Sequence, residues 1–243
     1  MSDQPSSDSR RKFLKGSFVG ISALTLAGQL PALAKTRQEE EAAKRFFEVP
    51  ENSFLQSAVD RIIPADERWP GAREAGVVEY IDRQMAGPWG RGELVYRHGP
   101  YYEGTAAQGY QFEYTPAELF RRSINAINNH FASQGTSFDK LSDADKDAYL
   151  ASLEKGGMDL DGVDSAVFFD QLLGMTVQGF FADPVYGGNR DMVGWRMIGF
   201  PGAYADYYDL VDKHGMEFKR EPLSIADRDH PDSSLNKTKM RRG

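Results

Sequence analysis

The sequence of 243 residues contains no cysteine. Cysteine supplies disulfides, thiolate ligands for zinc and iron–sulfur clusters, and the covalent links of c-type haem, so none of these can form within this chain. Histidine is also scarce, because only four are present and none lies in an H-x-x-x-H or H-E-x-x-H pattern. The sequence therefore excludes cysteine chemistry and offers little material for a histidine-based metal site.

Long apolar runs and a basic surface are missing as well. The mean hydropathy is −0.54, and no stretch approaches the roughly 20 apolar residues of a membrane-spanning helix. The formal charge is −7, from 29 basic and 36 acidic side chains, which argues against nucleic-acid binding. What the chain does have is 40% hydrophobic and 12% aromatic residues, enough to build the core of one folded domain.

Residues 1–34 have the pattern of an export signal. Ser9-Arg10-Arg11-Lys12-Phe13-Leu14-Lys15 matches the twin-arginine consensus of bacterial signal peptides. A mildly apolar stretch and an A-x-A site follow, so we expect cleavage after Ala34. The alternative is a basic patch before a short anchor, but about 15 residues are too few to span a bilayer. The residues expected to carry the signal are Arg10, Arg11, Phe13, Leu14, Lys15, Ala32 and Ala34.

The export route itself is informative. The twin-arginine system moves folded proteins, mostly ones that acquire a cofactor in the cytoplasm. This chain has no phosphate-binding G-x-G-x-x-G after a strand and no P-loop. It therefore either folds too fast for a threading route or travels bound to a protein that carries a cofactor. Removal of residues 1–34, with four basic and two acidic side chains, changes the formal charge from −7 to −9.

The mature sequence predicts a mainly α fold. Apolar residues recur at helical spacing in five segments, and no alternating Val/Ile/Thr run predicts a sheet. The expected helices run from Glu51 to Ile63, from Val77 to Met85, from the capping box Thr115–Glu118 to about Gly135, from Ser142 to Gly156, and from Asp164 or Ser165 to Phe181. We expect one irregular helical domain over residues 51–218, after a lead-in at 35–50 and before a polar, disordered tail at 219–243.

Residues 90–114 show no period and contain five tyrosines, which predicts a long ordered loop. Because tyrosine is enriched at interfaces, this loop either packs against a partner or folds onto its own domain.

Residues 159–164 have carboxylates at alternate positions, as calcium loops do. Their glycine comes fourth rather than sixth, so a polar turn capping the next helix fits better. Paired carboxylates such as Asp66 and Glu67 could support acid–base hydrolysis, but their separation is not given by sequence.

The segment 183–202 is the densest in the chain, with five glycines and two prolines. Glycine lets the backbone approach a neighbouring surface closely, and the residues between are types enriched at interface hot spots. The alternative is a buried irregular loop held by side-chain hydrogen bonds of Asn189 and Asp191, and sequence does not choose between the two. The candidate partner interface comprises Tyr186, Gly187, Gly188, Asn189, Arg190, Trp195, Arg196, Met197 and Phe200.

This segment, together with residues 62–66 and 70–77, resembles the gluconate 2-dehydrogenase subunit 3 family over about residues 45–220. The resemblance implies the small (gamma) subunit of a membrane-bound sugar or sugar-acid dehydrogenase. It implies that FAD belongs to a glucose-methanol-choline-type large subunit and haem c to a multihaem cytochrome c subunit. It also implies that this chain has no catalytic residue, no metal and no cofactor of its own.

The resemblance further implies that the small subunit supports folding of the flavoprotein and carries it through the twin-arginine receptor. We therefore expect a periplasmic complex at the inner membrane, reached through partners, with no role for nucleic acid. Two alternatives remain: a stand-alone periplasmic enzyme that uses carboxylates, and a sugar-acid-binding module. The sugar or sugar acid that the complex oxidises is not given by this sequence, because that pocket lies in another chain.

Overall fold

The computed structural model describes residues 46–94, 97–102, 105, 111–204, 210–216 and 219–227. Within these ranges the chain forms helices and turns and no β-strand, which confirms the mainly α fold class. The predicted export signal and its cleavage site lie outside the described residues. The α-helices are α1 (Val49–Ile62), α2 (Val77–Ala86), α3 (Pro116–Ser133), α4 (Asp143–Glu154), α5 (Ser165–Phe181) and α6 (Val193–Ile198).

Local sequence determines where these helices begin. The Thr115 hydroxyl accepts a hydrogen bond from the Glu118 N–H, while the Glu118 carboxylate accepts one from the Thr115 N–H, so the predicted capping box is confirmed. Ser142 caps α4 by accepting from the Asp145 N–H. Asp164 caps α5 by accepting from the Ala166 N–H. Each side chain satisfies an N–H group that has no partner inside its helix.

Helix α5 lies at the centre of the domain and contacts the other five helices. It is the most apolar of them, and Phe168 on its inward face is completely buried. The Phe168 ring lies 5.6 Å from that of Phe120 on α3 and 6.2 Å from that of Phe54 on α1. Buried aromatic pairs at these distances contribute strongly to a core. Among the described residues, no helix is long and apolar enough to cross a bilayer.

The folded domain begins earlier than the predicted boundary at residue 51. The Phe47 side chain is buried, and its ring lies 6.3 Å from that of Phe120. The backbone N–H groups of Phe46 and Phe47 donate to the Asp82 carboxylate at 3.0 Å. The end of the predicted lead-in is therefore part of the core, because its two phenylalanines bury a large apolar area.

The domain also continues beyond the boundary predicted at residue 218. In the segment expected to be a disordered tail, Leu223 and Ser224 are buried. The Leu223 N–H donates to the Pro201 carbonyl at 3.1 Å, and the Ser224 hydroxyl donates to Asp183 at 2.6 Å. A few apolar residues, such as Leu223 and Ile225, in a polar stretch were too weak a signal to predict this contact. Residues 228–243 of the predicted tail lie outside the described residues.

The buried position of Leu223 predicts a cost when its side chain is shortened. We expect Leu223→Ala to lower the free energy of unfolding by about 2 kcal/mol, because it removes buried methyl groups and leaves a cavity. Ile225→Ala is the matched control, since Ile225 lies two residues away and is 50% exposed. Its effect should stay within about 0.5 kcal/mol in urea unfolding. Equal losses for the two variants would contradict the docked arrangement of this segment.

Candidate functional site

The segment 183–202 is divided by the fold into a buried half and an exposed half. Asn189 is 0% exposed. Its amide nitrogen donates to the Ala182 carbonyl at 2.8 Å, and its amide oxygen accepts from the Gly194 N–H at 2.8 Å. Trp195 is 6% exposed, and its indole N–H donates to the Phe181 carbonyl at 2.7 Å. Both side chains therefore satisfy carbonyl groups at the C-terminal end of α5, which have no partner within the helix.

Two glycines let this segment lie directly on α5. A Cβ atom at Gly188 would be 2.1 Å from the Gly179 carbonyl oxygen, and one at Gly194 would be 2.2 Å from the Phe180 carbonyl oxygen. Both distances are far shorter than a van der Waals contact, and both obstacles are backbone atoms that cannot rotate away. These positions therefore require glycine for close packing rather than for turn formation.

The backbone between these glycines is strained. Asn189, Asp191 and Met192 have φ angles of 47°, 56° and 55°, in the left-handed region that costs an L-residue about 1 kcal/mol or more. The surrounding contacts hold this conformation, since the Arg190 N–H donates to the Ala75 carbonyl at 2.9 Å. The structure thus confirms Asn189 as an internal support of the segment. Asp191, which the same hypothesis included, lies exposed.

The exposed half carries large apolar side chains. Phe200 is 45% exposed, and its ring packs edge-on against Trp195 at 5.2 Å. Tyr186, Met197 and Ile198 are exposed as well. The residues predicted to form an interface thus fall into two groups. The accessible ones are Tyr186, Arg190, Arg196, Met197 and Phe200. The others are Gly188, Asn189 and Trp195, which are buried inside the domain, and Gly187, which is half-buried. The fold brings the predicted residues together but places some of them on the surface and the others inside the domain.

Three separate stretches of sequence meet beside the exposed half. The Arg190 guanidinium donates to the Glu74 carbonyl at 3.2 Å, in addition to the backbone bond from Arg190 to Ala75. The Ala72 N–H in turn donates to the Ile63 carbonyl at 2.8 Å. Residues 62–66, 70–77 and 183–202, which together carry the family resemblance, are therefore in direct contact.

An open cleft of about 340 Å³ lies at this junction. Three arginines line it, two from the segment 183–202 and one from the turn after α1. We call it the arginine cleft, and its lining residues are Arg68, Trp69, Pro70, Glu74, Ala75, Arg190, Asp191, Val193 and Arg196. Sequence reasoning missed Arg68 and Trp69, which it treated only as part of a turn. No local signal could have identified them, because Arg68 and Arg196 are far apart in sequence.

Asp66 shapes the turn that presents Arg68 and Trp69. Its carboxylate accepts from the Arg68 N–H at 2.7 Å and from the Trp69 N–H at 2.8 Å. These backbone hydrogen bonds, first from Arg68 and then from Trp69, hold the pKa of Asp66 below its usual value. Asp66, which with Glu67 was considered for acid–base chemistry, therefore has a structural task in the turn.

Residues 159–164 form the polar turn that caps α5. Asp159 accepts from the Gly162 N–H at 2.6 Å, and Asp164 accepts from the Gly157 N–H at 3.0 Å. The Asp161 carboxylate is hydrogen-bonded to Arg122 at 2.8 Å. These carboxylates are engaged by the protein itself, as expected for a capping turn. In the part of the chain that the structure describes, no cluster of three metal-ligating side chains is close enough to hold a metal ion.

The tyrosine-rich loop borders a second cavity, of about 820 Å³. Tyr101, Tyr102 and Tyr114 line one side, and the first turn of α5 lines the other. Tyr114 is half-buried and lies under the Arg122 guanidinium, 4.5 Å from its ring centre. This end of the loop thus packs on its own domain. Tyr96 and Tyr110 lie outside the described residues.

Comparison with known families assigns the chain. A family model described as gluconate 2-dehydrogenase subunit 3 matches residues 50–202, well over half of the sequence. The chain belongs to the gluconate 2-dehydrogenase subunit 3 family. The match confirms the resemblance and spans α1 to α6, the segment 183–202 and the whole arginine cleft. No curated protein and no solved structure matches the chain significantly.

The family description makes this chain a subunit of a gluconate 2-dehydrogenase complex, and therefore a protein that works with partner subunits. A subunit must hold its own fold and also present a surface to its neighbours. The exposed half of the segment 183–202 is one accessible surface of this subunit.

The hydrogen bonds of Asn189 predict a pH-dependent variant. In Asn189→Asp a carboxylate oxygen faces the Ala182 carbonyl, so burial and repulsion raise the pKa of the new carboxyl. Its protonated form can still donate to that carbonyl. Stability is therefore retained below the unfolded-state pKa of about 4 and is lost as the pH rises through the folded-state pKa. At pH 7 we expect a loss of at least about 2 kcal/mol in urea unfolding.

Asn125→Asp serves as the control, because Asn125 is exposed on α3 and the substitution adds the same charge. Its stability should change little between pH 4 and pH 7 relative to the unmodified chain. If Asn189→Asp followed the same flat profile, the amide of Asn189 would not be the support described here.

Proposed function

We propose that this subunit is non-catalytic, and that it supports maturation of the FAD-containing large subunit and carries it through the twin-arginine system. The observation that supports the proposal is the division of the segment 183–202. Its buried half is fixed to α5 by Asn189 and Trp195, and its exposed half presents large apolar side chains. A rigid backbone carrying accessible aromatic residues is suited to docking, because little side-chain freedom is lost on binding.

The predicted export signal also supports the proposal. The twin-arginine pair Arg10-Arg11 directs folded proteins to a receptor, and the sequence motifs of this chain do not include a nucleotide-binding glycine fingerprint. A cofactor-carrying passenger explains the choice of route. In this proposal the complex resides in the periplasm, its large subunit holds FAD, a multihaem cytochrome c subunit takes the electrons, and membrane contact is made through partners.

Phe200 is the side chain best placed to anchor a partner. Its ring rests on Trp195, which is fixed by the hydrogen bond to Phe181. It therefore projects from a rigid support while nearly half of its surface stays accessible. Aromatic residues in such positions commonly dominate binding energies. Met197 precedes it by less than one helical turn and is also exposed.

We expect the double variant Met197→Ala/Phe200→Ala to weaken the complex with the FAD-containing subunit by about tenfold or more, because it removes two exposed apolar side chains proposed to contact the partner. Affinity between the purified subunits, measured by biolayer interferometry, gives the change. Met216→Ala/Val49→Ala is the control, since it removes exposed apolar side chains elsewhere. Trp195→Ala is a poorer test, because Trp195 is buried and its loss also damages the fold.

If the double variant and the control bound equally well, the exposed half of the segment would not be the docking surface. The proposal of docking through this segment would then be wrong, whatever the affinity of the unmodified chain.

The escort role is tested by the export signal. We expect Arg10→Lys/Arg11→Lys to leave the flavoprotein in the cytoplasm, because an ammonium group cannot reproduce the bidentate contacts of a guanidinium. Cell fractionation followed by flavin fluorescence of the large subunit measures this. Arg37→Lys, the same change outside the signal, should leave export intact. Recovery of the large subunit in the periplasm with both lysines in place would end the escort idea.

A further inference from the structure

We infer that the arginine cleft binds an acidic segment of the partner flavoprotein, with its guanidinium groups receiving the carboxylates of that segment. The inference rests on the proposed function, since it names the chemistry of the docking surface. It adds a second contact, polar and charge-based, to the apolar contact argued for Met197 and Phe200.

Two of the three arginines of the cleft, Arg190 and Arg196, are poorly matched by acids of the protein itself. Arg190 lies 3.7 Å from Glu79, beyond hydrogen-bond distance. Glu79 is already engaged, because its other carboxylate oxygen is 2.5 Å from Arg83. Arg196 lies 3.9 Å from Glu221, whose side chain is 87% exposed, and an exposed pair at that separation contributes little. Both arginines therefore keep N–H donors available for another carboxylate.

Three arginines elsewhere in the described chain have closer carboxylate partners than Arg190 and Arg196. Arg61 makes two hydrogen bonds of 2.7 Å to Asp147. Arg91 is bonded to Glu93 at 2.7 Å, and Arg122 to Asp161 at 2.8 Å. In a chain with an excess of acidic residues such pairing is easily achieved. Arg97 is paired as loosely, with Glu118 at 3.8 Å, so the cleft is distinguished by three arginines that line one cavity.

The acidic residues that line the cleft leave its arginines accessible to another carboxylate. The Glu74 carboxylate accepts from the Gly71 N–H at 3.2 Å and so is directed to its own loop. The other acidic residue in the lining is Asp191, which is exposed, so three arginines share the cleft with two carboxylates. The side chains of Arg190 and Arg196 are 59% and 50% exposed, which leaves them accessible to an incoming segment. A guanidinium fork binds a carboxylate through two parallel hydrogen bonds.

The position of the cleft favours a protein segment as its occupant. Arg196 is followed directly by Met197 and Ile198, which are exposed, so the cleft adjoins the apolar residues proposed for docking. Trp69 also lines the cleft, and Trp, Arg and Tyr are the residues most enriched at interface hot spots. Because the chain as a whole is acidic, this cleft is where an acidic segment meets attraction instead of repulsion.

The test uses the full chain and its complex. An acetylated hexaglutamate peptide is titrated into the chain by calorimetry at low salt, and the affinity for the flavoprotein is measured over a series of salt concentrations. We expect Arg68→Gln/Arg196→Gln to weaken both interactions by about tenfold and to reduce the salt dependence of the complex. Arg68→Lys/Arg196→Lys keeps the positive charges but removes the bidentate guanidinium groups. Its affinities should lie between those of the unmodified chain and the glutamine variant.

The charge-matched control is Lys140→Gln/Lys155→Gln. Both lysines are exposed, and Lys155 follows α4 near the first turn of α5, whereas the cleft lies by the C-terminal end of α5. We expect this variant to bind both the peptide and the flavoprotein as the unmodified chain does. A loss equal to that of the arginine variant would show only a general charge effect and would overturn the inference.

The remaining outcomes separate this inference from the proposed function. If the complex is weakened by Met197→Ala/Phe200→Ala but not by the arginine variant, the inference is wrong and the proposed function stands. If sodium gluconate binds in an arginine-dependent way and hexaglutamate does not, the cleft is a small-molecule site and the inference is wrong. If the unmodified chain forms no complex with the flavoprotein, the proposed function fails and this inference fails with it.

Discussion

The contact between the segment 183–202 and the end of α5 is the constraint on which the rest of the molecule depends. A helix terminus leaves carbonyl groups without partners, and here Asn189 and Trp195 supply donors to the carbonyls of Ala182 and Phe181. Those donors can reach only because Gly188 and Gly194 allow backbone to touch backbone. The same contact places Arg190 against Ala75 and so forms one wall of the arginine cleft.

Much of the fold could be predicted because its signals are local. The caps at Thr115, Ser142 and Asp164 lie next to the helices that they begin, and a few residues of sequence specify each of them. The domain boundaries were less predictable. Phe47 and Leu223 lie in short segments that contain few apolar residues and show no helical spacing. They become buried only through partners that are distant in sequence.

The candidate site was predictable in part for the same reason. Composition identified the segment 183–202, but it could not separate Trp195 from Phe200. Both are aromatic and both are flanked by glycine or proline within a few residues, yet only Trp195 is buried. Trp195 lies within α6 and donates to the Phe181 carbonyl, whereas Phe200 follows Gly199, where the helix has ended. The arginine cleft could not be predicted at all, since it joins a turn near residue 68 to a helix near residue 196.

The carboxylate of Asp183 joins the segment 183–202 to residues 224 and 225. This buried group accepts from the Val185 N–H at the start of the segment 183–202 and from the Ser224 hydroxyl and Ile225 N–H. Two of these three donors lie beyond the span matched by the family, which ends at residue 202. A chain truncated at residue 202 would therefore leave the Asp183 carboxylate with only one of its three hydrogen-bond donors, the Val185 N–H. Proteolytic cleavage before residue 223 would detach these donors and so loosen the segment 183–202.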